Sequence, residues 1–192
     1  VQHSEFTKTI QVLDLTNLMT ATYGTGSFKE EAKQLAKNPS SIEPCLIIVR
    51  ANFFGTRNVV KQPPSEAQVA EWNVHFFPPG TSCITFPADS PHASHPLTMK
   101  PLAQSSRGQK FVQDSVTYKW VMDSKLHSGK FTLYKYIGPG EEGKLEVAKY
   151  WKRDGFKGTG GTLVLDSTEV DEVVGIMACL TVLKRNRREN RR

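Results

Sequence analysis

Residues 173–183, VVGIMACLTVL, place apolar side chains on every side of a helix and lie between an acidic and a basic flank. Three structures compete for such a run: a membrane anchor, a surface helix with a basic tail, or a helix buried inside the fold. Eleven residues rise only about 16 Å as a helix, roughly half the ~30 Å of a hydrocarbon core. A surface helix needs a polar face, but Val173, Val174, Ile176, Met177, Ala178, Cys179, Leu180, Val182 and Leu183 leave none. A helix apolar all round is a buried one. Ser167 or Thr168 can cap its start, and Glu169, Asp171 and Glu172 suit its positive end; Lys184 and Arg185 suit the negative end, where the chain meets water. The helix is therefore expected to run through the middle of the fold, with the preceding chain wrapped around it.

That preceding chain reads as strands. At 192 residues, with 38% hydrophobic and 23% charged residues, the protein has the size and composition of one soluble globular domain. FTKTIQVLDLT predicts a first strand. GSFKEEAKQLAKNP predicts one short surface helix, with Ser27 and Glu30 at capping-box spacing and Asn38-Pro39 as its stop. CLIIVRANFF is a continuous apolar run and predicts a buried strand; WNVHFFPPG and SCITFP predict two more around Pro-Pro-Gly. PPSEAQVAEW offers a cap at Ser65 but is too short to assign. The Pro-, Ser- and His-rich ADSPHASHPLTMKPLAQSSRGQ predicts a long loop. DSVTYKWVMD, GKFTLYKYIG, KLEVAKYWKR and GTLVLD then alternate with turn sequences as an antiparallel meander. No internal repeat and no domain boundary is visible.

A strand-rich chain that ends in one buried hydrophobic helix resembles the tubby C-terminal-like superfamily, which includes the tubby, scramblase and LURP-one-related domains. More closely, VTYKWVMDSKLHSGKFTLYKY, LEVAKYWKR, GTLVLD and EVDEVVGIMACLTVLKRNRREN are similar to a fungal family of unknown function in that superfamily. The matching residues are Tyr118-x-Trp120, Val147-Ala148-x-Tyr150, Gly161-x-Leu163 and Glu169-x-x-Glu172-Val173-Val174. The resemblance spans 116–190 and is a matter of packing patterns, so it bears on fold more than on activity. It implies a β-rich (α+β) fold, a closed antiparallel barrel of about 12 strands around the buried C-terminal helix. The barrel domain would occupy 1–183 and a basic tail 184–192.

Charge is uneven along the chain. The net charge is +6, but Lys184, Arg185, Arg187, Arg188, Arg191 and Arg192 face the single Glu189 in the tail, so the body is close to neutral. Such a tail suits an address, an arm for anionic lipid or nucleic acid, or a solvated end. The near-neutral body argues against a broad nucleic-acid surface. The three cysteines, Cys45, Cys83 and Cys179, have neither disulfide-framework nor metal-pair spacing and read as buried thiols in a reducing compartment. The chain opens on Val1, as after removal of a leader, and no signal-peptide pattern follows. The expected location is cytoplasmic, at the membrane periphery or in the nucleus.

Chemistry-bearing motifs are few. His92 and His95, in SPHASHP, supply at most part of a zinc ligand set and are better read as bonding the loop backbone. GxSxG is absent, no cysteine has a histidine beside it, and the GTG and GTGG segments lack the lysine of a phosphate loop. An enzyme is not expected, nor a cofactor. In KYWKRDGFKG, aromatic and basic residues interleave: either Tyr150 or Trp151 packs inward among solvated lysines, or the segment forms a basic and aromatic patch. Tubby domains bind phosphoinositides through basic residues on the barrel, so the resemblance implies a non-enzymatic module for anionic membrane lipid. Its candidate ligands are Lys149, Lys152, Arg153, Lys157, Lys184, Arg185, Arg187 and Arg188. The alternative is a nuclear or nucleic-acid-associated protein, or a protein–protein adaptor, that uses the tail. The scramblase branch would call for a calcium loop or a membrane-length segment, and the sequence has neither. Gly175, Ala178 and Cys179 would let a strand approach the helix closely or leave room for a ligand.

Overall fold

The computed structural model describes residues 9–35, 42–75, 80–103, 107–123, 129–138, 143–152 and 160–189. Eleven strands form one antiparallel sheet in which every strand neighbours its sequence successor: β1 (Thr9–Leu13), β2 (Pro44–Arg50), β3 (Arg57–Gln62), β4 (Ala67–Val74), β5 (Ser82–Thr85), β6 (Leu97–Pro101), β7 (Gln109–Gln113), β8 (Val116–Met122), β9 (Lys130–Ile137), β10 (Gly143–Lys152) and β11 (Gly161–Leu165). Between β1 and β2 lie a one-turn helix α1 (Thr16–Met19), a 3-10 turn (Thr20–Thr22) and α2 (Phe28–Leu35). The chain ends in α3 (Glu172–Glu189).

Burial of α3 organises everything else. Residues 173 through 182 are all buried, whichever side of the helix they occupy. Their partners come from around the whole sheet, since the inward positions of successive strands carry Val12, Ile48, Val60, Trp72, Ile84, Met99, Phe111, Trp120, Leu133 and Tyr150. Strand alternation puts those residues on one face and leaves their neighbours to water. Tyr150 is the inward residue of its pair; Trp151 points outward and meets Phe28 of α2 edge-on at 6.5 Å.

The sheet is not closed. Among the described residues β1 and β11 are its two edges and do not pair with each other, so a closed barrel of about 12 strands gives way to an open sheet of eleven wrapped around its helix. Each edge strand is only five residues long, and α2 reaches β10 beside the β11 edge through Phe28. Short edges and helical cover limit unwanted pairing with other chains.

Several local expectations also change. The apolar run CLIIVRANFF is strand only to Arg50, and Phe53 and Phe54 stand in an exposed turn. The long middle loop contains β6, and β7 follows directly. PPSEAQVAEW, too short to assign from sequence, is the β3–β4 turn and most of β4. In DSVTYKWVMD, Asp114 and Ser115 form a two-residue turn with φ of 50° and 65°, the left-handed pair that matches strand twist. Neither Ser167 nor Thr168 caps α3. Asp166 engages Thr168 in a separate turn, and Asp171 Oδ1 accepts the Val174 amide at 2.9 Å.

The meander fixes two ends. The β2–β3 turn, the C-terminal ends of β4, β6, β8 and β10 and the N-terminal ends of β5, β7, β9 and β11 lie at the end where α3 finishes. Lys184 donates to the Gly55 carbonyl, the Arg185 guanidinium lies against Gly80, and Asn186 Nδ2 is 3.4 Å from the Arg107 carbonyl. At the other end His92 Nδ1 lies 3.0 Å from Asp171 Oδ2, Tyr118 donates to the Glu169 carbonyl at 2.9 Å, and Lys135 pairs with Glu169 at 2.9 Å. Gly175 rests on Leu165 of β11, so the small residue permits close approach of a strand. All three cysteines are free; burial pushes the Cys179 thiol far above its ordinary range. Among the described residues no helix is long and apolar enough to cross a membrane.

Gly161, the first residue of β11, has no room for a side chain: a Cβ there would run into the Trp151 carbonyl and the Tyr150 hydroxyl. Gly161→Ala should lower stability by about 2 kcal/mol in denaturant unfolding, the scale of overpacking against backbone. Gly26→Ala, which meets nothing within 4 Å, is the matched control. Equal stability of the two variants would contradict the β10–β11 register.

Candidate anion-binding surface

The residues singled out from sequence separate into three groups. Lys149 lies on the outer face of β10 and is paired at 2.7 Å with Glu146, whose carboxylate holds the ammonium above its usual range. An exposed pair of this kind adds little net field. Lys152, at the end of β10, is exposed and packs its stem on Gly129. Arg153 and Lys157 lie outside the described residues.

Lys184 and Arg185 are not part of a solvated tail. α3 continues through Glu189. The Lys184 ammonium sits 4.4 Å from the centre of the Trp72 ring while donating to Gly55. Cation–aromatic contacts of this kind contribute on the order of 1 kcal/mol. Asn186, one residue beyond Arg185, is itself buried and donates to the Val182 carbonyl at 2.8 Å. Arg187 and Arg188 lie on the last turn of α3, and their side chains are outside the described set.

His92 and His95 do not converge. His92 holds the carboxylate that caps α3, rather than loop backbone, and its own carbonyl accepts from Gln113 Nε2 at 3.3 Å. His95 is exposed beside Ser94. Among the described residues no group of three or more potential metal ligands exists.

Register brings together lysines that sequence reading left apart. Lys100 of β6 is directly opposite Lys110 of β7, and Lys110 is directly opposite Lys119 of β8. All three occupy outward positions, because Met99, Phe111, Tyr118 and Trp120 take the inward ones. Facing side chains on adjacent strands have Cβ atoms about 5 Å apart, and like charges so placed destabilise a sheet. Tyr134 of β9 continues the row opposite Lys119, whose ammonium lies 4.0 Å from the Tyr136 ring centre; Lys144 lies 5.0 Å from that of Tyr134. Lys100 and Lys110 have no acidic partner among the described residues. On the β1–β5 half, by contrast, Arg57 and Lys61 are paired with Glu71 and Glu66. The row sits just below the rim at the C-terminal end of α3, since Pro101↔Gln109 is the last β6–β7 pair.

Alternation in LTMKP, QKFVQ and VTYKWVM already puts each lysine on a polar face. Only strand order and register align the three.

Because Lys184 and Asn186 pack into the fold, a chain ending after Leu183 should lose about 3 kcal/mol, from two or three hydrogen bonds and a cation–aromatic contact. A chain ending after Glu189 should melt like the full chain. Equal melting of all three in calorimetry would show that 184–189 is a dispensable arm.

No family model matches this chain, and neither a curated protein nor a solved structure matches it.

Proposed function

We propose that this protein is a non-enzymatic binding module for phosphorylated, anionic lipid head groups at a membrane surface. The row Lys100–Lys110–Lys119 carries this reading. Three like charges stand directly opposite one another across three strands, an arrangement that costs stability in the free protein and that a bound anion would offset. Tyr134 and Tyr136 line the same face, and Lys144 adds a fourth ammonium. The body of the chain is near neutral overall, so this concentration of positive charge is local rather than a reflection of composition. The sequence resemblance of residues 116–190 to the superfamily that includes tubby domains, which bind phosphoinositides through basic residues, supports the same class of ligand.

Each cation close to an anionic surface contributes about 1 kcal/mol, and salt weakens that attraction. Lys152 lies toward the same rim and adds to the field. A basic arm for nucleic acid or nuclear import draws on less of the chain than its sequence offers, because α3 occupies residues through Glu189 and holds Lys184 within the fold.

The test is co-sedimentation with phosphoinositide-containing and with neutral vesicles at low and high salt. Combined Lys100→Gln, Lys110→Gln and Lys119→Gln should weaken binding roughly a hundredfold, at about 1 kcal/mol per charge. The same substitutions remove repulsion along the row and, at Lys119, the contact with the Tyr136 ring, two opposed effects of similar size, so stability should change by less than about 1 kcal/mol. Undiminished binding by the triple variant, or equal binding to neutral vesicles, would refute the proposal.

A further inference from the structure

The β2–β3 turn, residues 51–56, is held more firmly than a surface connection requires. Asn52 organises it from within: its carbonyl accepts the Gly55 amide at 3.1 Å, and its Oδ1 accepts the amides of Thr56 at 2.9 Å and Arg57 at 3.2 Å. Its Nδ2 donates to Thr56 Oγ1 at 2.7 Å. Two other elements hold the turn from outside. The Val74 amide of β4 donates to the Thr56 carbonyl at 2.7 Å, and Lys184 of α3 donates to that of Gly55. Gly55 has a φ of 63°, and a Cβ there would come within 2.9 Å of the Arg50 guanidinium, so the position favours glycine.

At the apex of this pinned turn, Phe53 is 92% exposed and Phe54 76% exposed. Their rings meet each other edge-to-face at 5.6 Å. Tips of turns ordinarily carry Asn, Asp, Ser or Gly, and a slack loop would fold two such rings back onto apolar surface. Here the backbone holds them out. Arg50 and Arg57, from β2 and β3, stand at the base of the turn, Arg57 paired with Glu71, while Lys184 of α3 is engaged by the Gly55 carbonyl and the Trp72 ring. The tip also lies at the end of the molecule toward which the lysine row is placed.

From this we infer that Phe53 and Phe54 form a membrane-inserting tip: the two rings enter the interfacial layer of an anionic bilayer while Arg50 beside them and the lysine row toward the same end of the molecule meet its phosphates. A convex apolar point with positive charge toward the same end of the molecule complements a bilayer surface, whose apolar interior lies beneath an anionic layer. The inference rests on the reading of the protein as an anionic-lipid module. It adds how the molecule is oriented, with the C-terminal end of α3 toward the membrane.

The test compares the full chain, Phe53→Ser/Phe54→Ser, Phe53→Trp and the triple lysine variant on vesicles containing phosphoinositide. Burial of each ring favours binding by about tenfold, so the double serine variant should bind about a hundredfold more weakly with an unchanged melting temperature. Phe53→Trp should bind like the parent. Its added emission, relative to the parent's three tryptophans, should shift to the blue on vesicles and be quenched by brominated phospholipid. Parent-like binding by the serine variant, with loss in the lysine variant, would overturn the tip and leave the lipid reading standing. Self-association of the parent that the serine variant loses in sedimentation would assign the rings to a second copy and also overturn it. Absence of vesicle binding by every protein would overturn both readings.

Discussion

A helix that is apolar on all sides has no stable place on the surface of a sheet. α3 buries every position from 173 through 182, and the only way a single antiparallel meander can cover all of them is to wrap around the axis. This one requirement accounts for the sequential strand order, for the inward row of large residues from Val12 to Tyr150, and for small residues such as Gly175 where a strand comes close. It also explains why polar groups gather at the two ends of the helix. Orphan amides at its start are met by Asp171, held in turn by His92, and its last turns are tied to the surrounding connections by Lys184 and Asn186.

The same arrangement organises the functional face. Because α3 ends beside Gly55, Gly80 and Arg107, Lys184 and Arg185 lie against surrounding backbone rather than free in water. Lys184 both covers Trp72 and steadies the turn that displays Phe53 and Phe54, so the packing of the core and the presentation of the tip share a side chain. The lysine row belongs to the outer layer of the same strands whose inner residues, Met99, Phe111 and Trp120, enclose the helix. Register that serves the core therefore dictates which charges face one another outside.

The burial of α3 and the last four strands were legible in the sequence, because an all-round apolar run and regular alternation between glycine-rich turns each have one physical reading. The first half was harder. β6 is five residues between prolines and a serine-rich stretch, and its alternation is too short to stand out. CLIIVRANFF misled through continuity: hydrophobicity alone cannot distinguish a buried strand from a turn that holds phenylalanines in solvent. Closure of the sheet was equally out of reach, since periodicity says which face a residue takes but not whether two edges meet. For the surface, charge suggested that Lys184 and Arg185 were solvated, whereas long stems let such residues pack while their heads find partners. Lys100, Lys110 and Lys119 each looked like an ordinary outward position. Their significance lies in pairing across strands, which no single segment contains.

Amide hydrogen exchange of the free protein tests the central claim most directly. If α3 is the element around which the sheet is wound, the amides of residues 175–182 can open only when the whole molecule does. Their exchange should then be the slowest in the chain and track global unfolding as denaturant is added. Exchange of those amides well before the β8–β10 strands would mean that the helix leaves an intact sheet, and would contradict the account.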